Sequence, residues 1–321
     1  MRTVLVGAVE STRVALQAMA ESGHPPAALL TLPPDRARRH SDYVHLRPLA
    51  QSLGVRVIDA PDVNTPEALA AMAEVAPRHV LVIGWSQICR DDFLAVPAGG
   101  ALGYHPAPLP ENRGRGVIPW TILQGVRETG GTLFWLDQGM DSGDVAAQER
   151  FAVAEDETAA TLYGKHMEAL RRMLAGLMPR LAEGTAPRLP QDHSRATFCA
   201  RRTAADGWID WTRSADDVWA LVRASGDPYP GAFTVQGGER LVVWAADRVR
   251  DDRYWGLPGQ VQAMDEQGVL VQCGDRGHVR LRTVQRGDGE RVDARKVLRM
   301  HEKLGMDGAA LFAALPGERR A

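Results

Sequence analysis

The residues best suited to chemistry stand in two short loops. His105 opens the run His-Pro-Ala-Pro-Leu-Pro-Glu-Asn-Arg-Gly-Arg-Gly, residues 105–116. An imidazole there can donate a hydrogen bond or shuttle a proton near neutral pH. Position alone does not choose between that role and a histidine that merely ties its loop. Asp141 lies in Asp-Gln-Gly-Met-Asp-Ser-Gly-Asp, residues 137–144. A carboxylate beside a histidine holds the ring in one tautomer and stabilises its positive charge. Turn chemistry accounts for Asp137 and Asp144 and is the alternative for Asp141. Arg113 and Arg115, alternating with Gly, could grip phosphate or carboxylate through their planar forks. Lysine occurs only at Lys165, Lys296 and Lys303. In so arginine-rich a chain, a solvated loop is the simpler reading of the pair. No His/Cys/carboxylate cluster has metal spacing, no GxSxG elbow is present, and Gly7 opens no GxGxxG fingerprint.

The elements around these loops alternate. Apolar β-branched runs at Thr3–Val6, 27–32, 55–58 and 79–83 predict strands. Helical spacing fills 11–22, 43–53 and 65–75, with Ser11 or Thr12 as a cap and Pro66 in a first turn. Such alternation predicts βαβ units and a parallel sheet with helices on both faces, a Rossmann-like α/β domain. Ligands in such sheets sit beyond the carboxyl ends of strands. That places weight on 7–11, 84–87 and 103–110. Further strands are expected at 101–104, 131–136 and 145–153, and helices at 118–124 and 158–181. Tyr163, Met167, Leu170, Leu174 and Leu177 on the last helix read as an ordinary core face.

Residues 182–194 are rich in Pro, Gly and polar residues and read as linker. Beyond them a helix at 214–224 precedes short strands at 241–243, 259–261, 268–272 and 279–283, which predict a smaller β-barrel, OB-like domain. The expected division is 1–185 catalytic domain, 186–200 linker and 201–321 C-terminal β-barrel domain. Trp208, Trp211, Trp219 and Trp244 read as core of the second domain, and 227–231 as a rigid turn.

Composition bounds the partners. The chain has 321 residues, 45% apolar and 24% charged, with formal net charge −2. Two globular domains fit that length, and a broad basic surface for nucleic acid does not fit that charge. Cys89, Cys199 and Cys273 form no CxxC pair, so a disulfide framework is not expected. No apolar stretch approaches the roughly 20 residues of a membrane helix, and the start lacks a signal-peptide pattern. The expectation is a soluble cytoplasmic protein with no membrane or metal partner.

Residues 105–116, followed by Ile118-Pro119-Trp120, Glu128-Thr129-Gly130 and Met140-Asp141-Ser142-Gly143-Asp144, resemble the folate-dependent formyltransferases. Ile209-Asp210-Trp211 and Asp227-Pro228-Tyr229-Pro230-Gly231-Ala232-Phe233 resemble that family's C-terminal barrel. Pro-Tyr-Pro-Gly-Ala-Phe and Val243-Trp244 are most similar to UDP-aminoarabinose and other sugar or small-amine N-formyltransferases. The resemblance implies 10-formyltetrahydrofolate as co-substrate and a primary amine, of a small molecule or a nucleotide-linked sugar, as acceptor. It implies catalysis by His105 and Asp141. The loop Ile83, Gly84, Trp85, Ser86, Gln87 and Ile88 would line the pterin pocket through its backbone, and Arg113 and Arg115 would contact acceptor or phosphate. The family's asparagine, two residues before the histidine, falls at Gly103, which offers no side-chain donor. Gln87, Ser86 and Asn112 are candidates to replace it. Alternatives are a methionyl-tRNA formyltransferase, which the net charge disfavours, a formyltransferase for a hydroxylated amino acid, and a non-catalytic folate binder. By analogy the barrel offers a surface for a homodimer.

Overall fold

The structure, a computed structural model, describes residues 1–39, 43–251 and 253–305. The side chains of Arg38 and Arg39, part of the basic stretch with Arg36, lie outside the described residues. The chain divides into two compact units. The first comprises Met1–Ile118, Val126–Glu155 and Thr161–Arg201; the second comprises Pro119–Gly125, Asp156–Ala160 and the chain from Arg202 onward.

Unit 1 follows the order β1 (Thr3–Val6), α1 (Glu10–Glu21), β2 (Ala28–Thr31), α2 (Arg47–Ser52), β3 (Arg56–Asp59), α3 (Pro66–Val75), β4 (His79–Val82), α4 (Asp91–Leu94), β5 (Ala101–His105) and β6 (Arg113–Gly114). Along the chain then come α5 (Val117–Leu123), whose residues from Pro119 belong to unit 2, β7 (Glu128–Trp135), β8 (Val145–Ala152), α6 (Ala159–Glu183), which belongs to unit 1 from Thr161, and β9 (Phe198–Cys199). Its seven-stranded sheet runs β3-β2-β1-β4-β5-β7-β8. The strands from β3 to β5 are parallel, whereas β7 is antiparallel to β5 and to β8.

The sheet is covered on both faces, and the period of two shows which residue serves which. Leu5, Leu29, Leu81 and Leu102 belong to one core with α1 and α6. Their neighbours Val4, Val6, Leu30, Val80 and Ala101 belong to another with Met72 of α3 and Phe93 of α4. Each fully buried Leu contributes roughly 1.5–3 kcal/mol relative to exposure. Counting on from Ala101, Gly103 and His105 lie on the second face and Tyr104 on the first. Helix α6 lays Met167, Leu170, Leu174 and Leu177 into the first core.

Helix α1 begins at Glu10, one turn position earlier than its expected caps. Thr12 therefore sits inside the first turn, where its Oγ1 accepts Val9 N–H at 3.2 Å and donates to Ile83 O at 2.6 Å. Helix α3 starts as expected: Thr65 Oγ1 accepts the Ala68 N–H and Pro66 occupies the first turn.

Unit 2 is built from α7 (Ala215–Ser225), β10 (Ala232–Gln236), β11 (Glu239–Val249), β12 (Val261–Asp265), β13 (Gly268–Gln272), β14 (His278–Arg286) and β15 (Val292–Asp293). Its antiparallel sheet runs β10-β11-β14-β13-β12, with β15 on β14. Residues 301–305 bridge the two outer strands. Val261 donates to Glu302 O and His301 to Val261 O on one side; Gly305 donates to Val235 O on the other. The backbone edge of β12 is thereby covered, as a barrel requires. Of the four tryptophans expected in this core, Trp211 alone is buried there; the other three are half-buried. Arg223 and Arg248 cover the Trp219 ring and Arg291 covers that of Trp244.

Candidate active site

His105 is the last residue of β5, and its side chain is 6% exposed. Thr132, its register partner on β7, organises the loop that follows: Thr132 Oγ1 donates to Ala107 O at 2.7 Å and accepts the Leu109 N–H at 3.1 Å. The chain then turns back so that Asn112 O lies 2.7 Å from His105 Nε2. A carbonyl can only accept, so Nε2 carries the proton in that bond. The other nitrogen, Nδ1, faces Asp141 Oδ2 at 3.6 Å. That is an electrostatic contact and too long for a hydrogen bond. Nδ1 is thus the ring atom that faces the carboxylate.

Asp141 is held in an uncommon backbone state. Its φ is +51°, and that of Asn112 is +55°. Asp and Asn tolerate this left-handed region better than other L-residues. The Gly114 N–H donates to Asp141 Oδ2 at 2.8 Å. Gly114 itself has φ +105°, and a Cβ there would stand 2.5 Å from Cys199 O. Only glycine lets the loop press against β9 closely enough for this N–H to reach the carboxylate. Turn chemistry does account for Asp137, which accepts from Ser142 Oγ and the Gly139 N–H.

The two arginines differ. Arg115 is exposed and donates from Nη2 to Ser86 O at 2.7 Å, tying its loop to residues 83–88. Arg113 is 5% exposed, and its Nη2 reaches Gln191 Oε1 at 2.7 Å and His193 Nδ1 at 2.9 Å. Both partners come from the segment 186–200, which packs within unit 1. Gln191, which no motif distinguishes in that Pro- and Gly-rich stretch, is buried and donates to Asp141 O and Gly143 O.

Residues 83–88 follow β4. Ile83 is buried and Gly84 turns the chain at φ +76°. Trp85 is half-buried, with an indole N–H that is enclosed and has no partner among the described residues. Ser86 is exposed, and Ile88 is 78% exposed. The Gln87 amide is engaged elsewhere, donating to Pro61 O and accepting from the Val63 N–H. At Gly103, a Cβ would lie 2.8 Å from Leu136 Cδ2 and 3.0 Å from Phe134 Cε1. The space of a side chain at this position is filled by those two residues.

Nearby on α6, His166 is fully buried and bonds through Nδ1 to Tyr104 OH at 3.1 Å. Burial, and secondarily the charge of His105, lowers its pKa to about 3. Burial likewise pushes the Cys89 and Cys273 thiols up to about 12, so neither is a ready thiolate. Among the described residues, no group of three or more His, Cys, Asp or Glu stands together as a metal site, and no helix is long and apolar enough to cross a membrane.

A mixed α/β domain with a His–Asp pair at a strand's carboxyl end is followed by a small antiparallel β-domain. The chain belongs to the formyl transferase family: the formyl transferase model matches residues 17–176 and the formyl transferase C-terminal domain model matches residues 201–302. Solved structures share the fold at low identity. HypX from Aquifex aeolicus in complex with tetrahydrofolic acid is 19% identical over 93% of this chain, with TM-score 0.66. This chain spans about half the length of the HypX chains it matches, 47% in that case. An N-formyltransferase from Helicobacter canadensis in complex with folinic acid and dTDP-3-aminofucose is 14% identical over 89% of this chain and 100% of its own, with TM-score 0.66. A methionyl-tRNA formyltransferase from Clostridium thermocellum is 18% identical over 77% of this chain and 93% of its own, with TM-score 0.56.

Proposed function

We propose that this chain transfers a formyl group from 10-formyltetrahydrofolate to the primary amine of a small or nucleotide-linked acceptor, with an amino sugar as the leading class. The observation that carries this reading is the His105–Asp141 pair, 3.6 Å apart at the end of β5 within the region matched by the family model. The tetrahydrofolate, folinic acid and dTDP-3-aminofucose of the similar structures support the donor and acceptor classes.

The residues present fit the donor. Residues 83–88 offer backbone groups in an open turn and the orphaned indole N–H of Trp85, a buried donor in need of an acceptor. Asp141 draws the amine toward the formyl carbon and takes up its proton. With Nε2–H held by the Asn112 carbonyl, His105 serves the formyl oxygen as an imidazolium, donating from a protonated Nδ1 where negative charge develops. A carbon–nitrogen bond to the acceptor forms, the bond from the formyl carbon to N10 breaks, and the proton passes to N10. Gly103 supplies no side-chain donor to that oxygen. Arg115 stands beside the loop and is the residue proposed to meet an anionic acceptor.

Purified protein with 10-formyltetrahydrofolate and a panel of amines, including dTDP-3-aminofucose, is expected to release tetrahydrofolate. Release with free amino acids alone would move the acceptor to that class. Strongly salt-dependent formylation of charged initiator tRNA would establish the methionyl-tRNA reading instead. Tight folate binding with no release would make the chain a binder.

A further inference from the structure

We propose that Gln191 is a positioning residue for the Asp141 carboxylate and that Arg113 acts through it. This rests on the formyl-transfer reading of the His105–Asp141 pair.

The amide of Gln191 is fully committed. Nε2 donates to Asp141 O at 2.9 Å and to Gly143 O at 2.7 Å, while Oε1 accepts from Arg113 Nη2 at 2.7 Å. Two carbonyls cannot donate and a guanidinium cannot accept, so the amide has one workable orientation. Asp141 pays for its positive φ with roughly 1 kcal/mol or more, and such a state persists only where its surroundings hold it. Two contacts do so, one at each end of the residue. The Gly114 N–H takes the carboxylate, and Gln191 takes the carbonyl.

Arg113 unites those contacts because Gly114 is its chain neighbour. Its guanidinium is buried on two neutral groups, Gln191 Oε1 and His193 Nδ1, and its Nε has no partner among the described residues. A buried charge on neutral partners is costly. The gain is geometric: the same strand that presents the Gly114 N–H also orients the amide on the far side of Asp141. The backbone pairing of β6 with β9 fixes the frame, with the Arg113 N–H on Thr197 O at 2.8 Å. A stretch whose composition reads as a linker thus forms the floor under the carboxylate.

Crystal structures and kinetics of the full-length Gln191→Met and Gln191→Glu proteins test this. Met removes both donors at similar volume. Glu keeps the length and the pairing with Arg113 but sets a carboxylate against two carbonyls, so it covers the case in which the Met protein does not fold. In each variant Asp141 is expected to leave its positive φ and lose the Gly114 N–H. Tetrahydrofolate release, with dTDP-3-aminofucose as the amine, is expected to fall about 100-fold in kcat, as a misplacement near 1 Å can cause, with the donor KM within about twofold. In an Asp141→Asn background the further loss is expected to be under about twofold, since the group being placed is already gone. An unchanged Asp141 in both variants, or a kcat within twofold of the parent, overturns the proposal. If the parent releases no tetrahydrofolate and His105→Ala changes nothing, the formyl-transfer reading fails with this amine, and the crystal structures alone decide the positioning.

Discussion

Two buried histidines lie on opposite sides of β5, and their surroundings differ sharply. His105 ends the strand among loops; its nitrogens meet a carbonyl and a carboxylate. His166 lies in α6, shut in a core with its Nδ1 on the Tyr104 phenol, its ring edge-on to Phe151 and an enclosed Nε2 without a partner among the described residues. Burial alone therefore does not tell the two apart. What separates the two is an anion and polar loops at a strand's carboxyl end, where a substrate can reach. His166 is kept neutral by its burial, which suits it to packing and to holding the Tyr104 phenol.

The largest effect expected from breaking this contrast is at His105. His105→Ala is expected to lower kcat for tetrahydrofolate release about a thousandfold. His166→Gln, its counterpart, is expected to keep kcat within about threefold. Equal losses in both would mean that the two histidines work as one unit. Asp141→Asn comes next. It keeps shape and removes charge, and a loss on the order of a hundredfold in kcat is expected from the missing proton acceptor. Retained activity would reduce Asp141 to a turn residue.

The architecture was legible because its cause is local. The Thr3–Val6, Ala101–His105 and α6 patterns are written in apolar spacing, and His105 and Asp141 stand in loops rich in Pro and Gly. The reversal of β7 was not legible, because a buried strand of either direction is simply an apolar run. The strand β10, Ala-Phe-Thr-Val-Gln, carries too little periodicity to stand out. Gln191 was hidden more deeply: a polar residue beside Pro190 gives no sign that three partners will bury it. The fate of Arg113 was equally hidden, because an Arg in Arg-Gly-Arg can serve solvent, ligand or fold.

Gly103 sharpens the contrast from the side of His105. The family resemblance puts an asparagine donor there, but Phe134 and Leu136 occupy the space. Gly103→Asn is expected to destabilise the protein by about 1–3 kcal/mol through overpacking, measured by urea unfolding, and not to raise kcat. Combining it with Phe134→Ala should recover part of that loss, because the two sites touch and do not add. A rise in kcat in the single variant would show that the pocket yields readily and that glycine is a deficit rather than a fit.

The smallest expected effect belongs to His166 and concerns pH. Its folded pKa is lowered to about 3, against an ordinary value of 6.5. The unfolded chain therefore takes up a proton below 6.5 that the folded chain refuses. This contribution to stability is complete above 6.5 and is lost as pH falls from there toward 3. Between pH 7.5 and 5.5 it amounts to about 1 kcal/mol. Urea unfolding of the parent and of His166→Gln across that range should differ in slope by this amount, with the variant the flatter. Parallel curves would mean that His166 is protonated in the folded protein as readily as outside it. The neutral state of His166 would then need a basis other than burial.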